Sequence, residues 1–301
     1  MRIGMVLSLC VALEMAAAAV EFSFEEKNDG LELNADGTTW LRTETAPYTR
    51  ERAEETYKVF THVFDFAGKA PITKGPGGKY THHRGLFIGW TDTLIGPSEK
   101  DYDSWGMKDT HQLHAEWRAK NVADGRATQE EKILWRNRRG QPFIEEVRTI
   151  SVTPGEDGQR VIDFVSSLTA LNDNIKLRGD LQHAGMHLRM ANEVSEHEHS
   201  TRYILPEGAK ELDNDKVVGA WWVCCSPIVR DTRYWIVHMS RDDLVTGQPV
   251  YSIRRYARFG AFFEPDLETG KALTVSFRII VSENELDQAA CQALYQAYCG
   301  K

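Results

Sequence analysis

The stretch HAGMHLRMANE, residues His183 to Glu193, decides the fold class. Its residues change character at every step. His183, Gly185, His187, Arg189, Ala191 and Glu193 fall on one side of an extended chain, and Ala184, Met186, Leu188, Met190 and Asn192 on the other. Side chains of a β-strand alternate between faces, so this is a strand with one apolar and one polar face. On a helix the same residues scatter around the axis. The reading is a strand of an antiparallel sheet, with its polar face open and Gly185 and Ala191 leaving room for a ligand between larger groups.

Working outward, Leu273–Val281 (LTVSFRIIV) and Val161–Leu168 are rich in strand-forming residues, and Lys58–Phe66 and Arg148–Thr153 have period-two character. Turn signals punctuate them at Asn28-Asp29-Gly30, Asp36-Gly37, Pro76-Gly77-Gly78, Arg139-Gly140, Pro154-Gly155 and Thr246-Gly247. Many short strands between turns predict an all-β antiparallel sandwich. One helix closes the chain. Ser282 and Glu285 have capping-box spacing, Leu286, Ala290, Leu294 and Tyr298 follow at helical intervals, and Gly300 ends it. No internal repeat or linker interrupts residues 20–301, which read as one domain.

Composition narrows the function classes. With 42% hydrophobic and 27% charged residues in 301, a packed core is expected and wholesale disorder is excluded. A formal charge of −8 offers no basic face, which argues against nucleic acid as a partner. Arg2, the apolar run Ile3–Leu13 and the small residues Ala16–Ala19 read as a secretory signal peptide over residues 1–19. The expected destination is the periplasm or the exterior. No stretch approaches the ~18 apolar residues that span a bilayer. Cys291 and Cys299, eight residues apart on the terminal helix, would be separated by about 12 Å, too far for a bridge. Any disulfide should therefore join that helix to the Cys224-Cys225 strand. Four reduced, buried thiols are the alternative.

Ionisable and aromatic residues gather in a few places. Lys74–Trp90, KGPGGKYTHHRGLFIGW, is a glycine-rich loop delivering His82, His83 and Arg84 to a strand, and it lacks the phosphate-loop pattern. Asp92 and Trp105 follow and could line the same cleft. His111 and His114 form an H-x-x-H pair that faces opposite ways on a strand and shares a side on a helix. A histidine can serve as base or acid near neutral pH. The expected acid–base pair is His83 and His187, with Glu193 either a carboxylate base or the partner of Arg189. Substrate contacts are expected from His82, Arg84, Trp90, Asp92, Trp105, His111, His114, His183, Arg189 and Glu264. Flat aromatic walls with convergent His, Arg and carboxylate groups suit a carbohydrate or glycoside. No cofactor and no metal ligand are assigned. A metal centre drawn from the six histidines named above, and a carbohydrate-binding protein without turnover, are the rival readings. The HHRG loop and the His183–Glu193 strand are expected to meet in space around one pocket.

The segments KGPGGKYTHHRGLFIGW, GDLQHAGMHLR and RYARFGAFFEPDLETGKALTVSFRIIV together resemble bacterial proteins often labelled "methane oxygenase PmoA-like", a family better described as a domain of unknown function. The resemblance covers roughly residues 57–281, with HHRG its most specific piece. The oxygenase label does not suit this chain, because the membrane subunit it refers to is largely transmembrane helices. The resemblance implies a sandwich of the sugar-mutarotase and lyase kind (a supersandwich), with His and carboxylate groups on a concave sheet. It also implies a role beside carbohydrate catabolism, where the expected acid–base residues suit epimerase, lyase or hydrolase chemistry on a sugar.

Overall fold

The computed structural model describes residues 19–98, 100–241 and 248–300. The leader expected over 1–19 lies outside them except for Ala19, as does the Thr246-Gly247 turn. Two large sheets face each other. The first has ten strands in the order Phe22–Lys27, Gly30–Ala35, Thr38–Glu44, Phe60–Val63, Leu86–Trp90, Ala184–Arg189, Arg258–Phe262, Val250–Ser252, Lys216–Val218 and Lys210–Leu212. The second has eight: Arg202–Ile204, Trp222–Ser226, Trp235–Ser240, Ala272–Ser282, Arg160–Ala170, Pro142–Pro154, Arg126–Asn137 and Thr110–Ala123. Neighbouring strands pair antiparallel, as in the ladders of Arg160–Ala170 with both Pro142–Pro154 and Ala272–Ser282. The fold is the antiparallel β-sandwich that the strand pattern predicts.

Alternation builds the interior. Leu86, Ile88 and Trp90, then Ala184, Met186 and Leu188, then Phe259 and Ala261, project from adjacent strands into one core with Ile162, Phe164, Phe277 and Ile279 of the opposite sheet. Each large side chain buried there contributes about 1.5–3 kcal/mol. One charged pair lies inside too. Arg148 grips Glu146 through Nε (2.8 Å) and Nη2 (2.9 Å), and Trp135 Nε1 and Ser166 Oγ donate to the same carboxylate.

The open polar face expected for the His183–Glu193 segment is not open. The strand Ala184–Arg189 is buried on both sides. Its second face carries His187, flanked by Phe87 and Gly260 in register. Two segments roof that face: the loop Tyr80–Gly85 and the turn Ser104–Met107. Trp105 from the turn joins Phe60 and Phe87 in a small apolar cluster. Gly89 permits this approach, since a Cβ there would stand 2.5 Å from Ser104 O. Gly185 likewise serves the backbone rather than a ligand. Its φ is +103°, and a Cβ would lie 2.0 Å from Ala261 O. The strand ends at Arg189, and residues Asn192–Ser195 turn away in a 3-10 helix, which removes Glu193 from the strand face.

The terminal helix spans Gln288–Cys299 and ends on Gly300 in the left-handed region, as expected. Its cap is Asp287, which accepts from Ala290 N at 2.8 Å, not Ser282. Ser282 is taken by the sheet, where it pairs with Trp235. Cys291 and Tyr295 of the helix bury against Trp222, Cys224 and Met239. The four described cysteines are free thiols. The Cys224 thiol is held well above its ordinary range by its hydrogen bond with Cys291 and by burial.

Candidate functional site

Lys58 ties the two roof segments together. Its ammonium donates to His82 O at 3.1 Å and Trp105 O at 2.6 Å, beneath both. Arg84 reaches back under its own loop to the carbonyls of Thr81 and His83 and to Glu54 O. The loop then bends at Tyr80, whose φ of 58° lies in the left-handed region. A bulky residue pays a steric cost in that conformation, which persists only where surroundings impose it. Tyr80 is nevertheless 40% exposed, its ring 4.9 Å from Tyr256 and 5.3 Å from His83.

The loop and the strand meet through a row of rings. His83 stands 4.4 Å from His82, and His82 stands 6.4 Å from His183. Trp105 lies edge to face beside His83 (6.2 Å), His183 (5.9 Å) and His187 (4.8 Å). Residues 100 positions apart in sequence thus share one cluster, with His187 and His83 both packed on Phe87 and Trp105.

Within the row the imidazoles differ in what they can do. His187 is fully buried. Its Nε2 donates to Ala184 O (3.0 Å), which leaves Nδ1 to accept from Arg258 Nη1 (3.1 Å). Burial and the Arg258 charge hold it well below the ordinary histidine range. His83 is held down in the same way. Neither can be the protonated acid near neutrality, so the expected His83–His187 acid–base pair is not the one the geometry offers. His82 is half-buried and pushed down to about 3 by burial, with Lys58 adding to the effect. His183 is different. Its Nδ1 meets both carboxylate oxygens of Asp180 at 2.8 Å, and its side chain is 34% exposed. A carboxylate only accepts, so Nδ1 carries a proton, and in the neutral ring Nε2 keeps its lone pair. No described residue hydrogen-bonds that Nε2.

Two carboxylates frame His183. Burial works to raise the Asp180 carboxyl, but the hydrogen bonds from His183 and Gln182 N outweigh it and leave the group lowered. Asp103 is raised by burial, against the Gly106 and Trp105 N–H groups that its Oδ1 accepts and against the opposing charge of Lys58. Glu264 is exposed and sits at the rim, accepting from Gly179 N at 3.0 Å. Asp92 is also exposed, on the strand Asp92–Ile95 that pairs with Ile175–Arg178 just ahead of Asp180.

Other expected residues lie elsewhere. Trp90 faces the core and donates to Phe263 O at 2.8 Å. Arg84 and Arg189 are buried and tack backbone, Arg189 through Tyr256 O and Ser195 Oγ (2.8 Å). Glu193 accepts from Arg230 N at 2.7 Å. His111 and His114 belong to the strand Thr110–Ala123 of the other sheet, where His111 stacks on Tyr48 (4.1 Å) and His114 donates to Glu131 (2.9 Å). The six-histidine metal set is therefore split between sheets. Among the described residues no group of three or more His, Cys, Asp or Glu side chains is placed to hold a metal ion.

Sequence reasoning missed Lys58, Asp103, Asp180, Tyr80, Tyr256 and Arg258. Asp180 carried a usable signal, an acid three residues before His183 in a glycine-led turn. Lys58 and Arg258 carried none, because their roles depend on which loops fold over them.

Residues 30–296 match the family of unknown function DUF6807, and the chain belongs to that family. This agrees with the resemblance to a domain of unknown function and lends nothing to the methane-oxygenase label. No curated protein matches the chain. Among solved structures, one from the human microbiome described as a kojibiose phosphorylase shares 11% identity and a TM-score of 0.37 over 87% of this chain. A polysaccharide lyase shares 10% identity and a TM-score of 0.33 over 90% of it. The chain spans about a third of each, 32% and 34% respectively. Among the described residues no helix is long and apolar enough to cross a membrane.

Proposed function

We propose that this protein is an exported carbohydrate-active enzyme in which His183, oriented by Asp180, moves the proton. The observation that carries the reading is the His183–Asp180 contact: it fixes the tautomer and leaves a basic nitrogen facing a half-exposed site. Tyr80 and Tyr256 supply an aromatic rim on which a sugar ring can lie, while the neutral His82 is suited to hydrogen-bond a hydroxyl. Asp103, whose carboxyl burial raises, is the candidate second group of the acid–base pair. Epimerisation, elimination and glycoside cleavage all use such a pair. The test is a turnover screen across sugars and glycosides. His183→Ala should lower the rate about 10²–10⁴-fold with melting unchanged. Unchanged turnover removes His183 from the mechanism, and sugar binding without any turnover favours a carbohydrate-binding protein.

Export and a disulfide belong to the same reading. N-terminal sequencing of secreted material should start near Ala19 or Val20, and full-length protein kept in the cytoplasm would sink the leader. Oxidised exported protein should show Cys224 linked to Cys291 by non-reducing peptide mapping, because these two thiols already touch. A bridge there would add about 2–4 kcal/mol, and four free thiols would refute it.

A further inference from the structure

Five basic side chains lie under and beside the His82–His183 row: Lys58, Lys74, Arg84, Arg189 and Arg258, each no more than 3% exposed. Their hydrogen bonds go to loop backbone. Lys58 holds the carbonyls of His82 and Trp105, Lys74 those of Gly75 and Gly77, and Arg84 those of Thr81, His83 and Glu54. Arg189 holds Tyr256 O and Ser195 Oγ, and Arg258 holds Gln182 O and His187 Nδ1. None of the five forms an ion pair with a carboxylate among the described residues. A carbonyl satisfies an N–H but does not cancel its charge, and a buried charge without a counter-ion is costly.

Carboxylates near the row act on them only from beyond ion-pair distance: Asp103 on Lys58, Asp180 on Arg258, and Glu54 on Lys74 and Arg84. Asp180 is committed to His183, and Asp103 to the Trp105 and Gly106 N–H groups. Glu54 and Glu264 hold the loop amides Gly77 N and Gly179 N. Five polar atoms in the same cluster are buried and have no hydrogen-bond partner: the Nε atoms of Arg84, Arg189 and Arg258, and two ring nitrogens, His83 Nδ1 and Trp105 Nε1. Their rings meet edge to face at 6.2 Å, with Lys58 beneath Trp105 and the Arg258 guanidinium 5.9 Å from its ring.

We propose that the ligand of this site is an acidic sugar, a uronic acid or similarly carboxylated unit, whose carboxylate lies at the His82–Trp105 end over Lys58 and Arg258. This rests on the carbohydrate reading and adds a charge requirement to it. The carboxylate supplies the ion-pair partner that these groups lack within the chain, and the sugar ring extends toward Tyr80 and His183.

Calorimetry on the mature protein tests this with matched pairs, D-glucuronate against D-glucose and D-galacturonate against D-galactose, and with acetate as a non-sugar anion. The acid of at least one pair should bind about 10-fold or more tightly than its neutral partner, and His82→Ala should remove that binding. A neutral sugar that binds as tightly as its acid overturns the charge requirement and leaves the carbohydrate reading standing. Acetate binding that is lost in His82→Ala, with no sugar bound, supports the anion site and overturns the carbohydrate reading. No binding of any anion overturns the proposal.

Discussion

Two of the places where this molecule buries charge are built differently. Between the sheets, Arg148 and Glu146 form a complete unit: two N–H donors on one carboxylate, whose oxygens also accept from Trp135 and Ser166. Nothing there is left for a partner to supply. On the far face of the ten-stranded sheet, Lys58, Arg84, Arg189 and Arg258 are just as buried, yet they point at backbone carbonyls and lack carboxylates. The first arrangement is the kind that stabilises a fold. The second holds loops in place with basic side chains that have no ion-pair partner, beside His183, whose Nε2 no described residue claims.

The largest effect should come from breaking the complete pair. Glu146→Ala leaves Arg148 buried and alone, and should cost about 3–5 kcal/mol in urea denaturation. Lys58→Met removes an amine that makes no ion pair and strands two carbonyls, so it should cost less, about 1–3 kcal/mol. Equal losses in the two variants would erase the distinction between the regions.

A smaller effect is graded with pH. His62 is pushed down to about 3 by burial and the nearby Arg84 and Arg42 charges, and His238 to about 3 by burial. Both states are neutral well above pH 6.5, so neither group contributes there. As pH falls below 6.5 the unfolded chain binds protons that the folded chain refuses, and stability falls until about pH 3. Each histidine should contribute a slope of roughly 1.4 kcal/mol per pH unit in that window. Denaturation at pH 7 and pH 5 should show the loss, and His238→Gln should make it shallower. A slope unchanged by that substitution would contradict the assignment.

Much of the architecture was legible in the sequence. The alternation of Ala184, Met186, Leu188 and Met190 placed one face on the core because strand periodicity is local. The roof over the other face was not legible, since it depends on the Ser104–Met107 turn folding back across Gly89. That hidden contact turned an expected open surface into a covered one and took His187 out of reach. Ser282 and Asp287 are both residues that cap helices, and only the pairing of Ser282 with Trp235 decides between them. At the site, the union of the HHRG loop with His183 was readable from chemistry, because clustered ionisable groups need company. Which histidine stays accessible was not, because it turns on Asp180 and on the cations beneath.

The most direct measurement is a structure of the protein with a bound sugar acid. The account predicts the sugar within hydrogen-bond reach of His183 Nε2, about 2.6–3.2 Å, with its ring against Tyr80 and its carboxylate at the His82–Trp105 end. A sugar seated instead in the cleft lined by Asn172, Asp173, Asn174 and Lys176, with the His82–His183 row unoccupied, would contradict it.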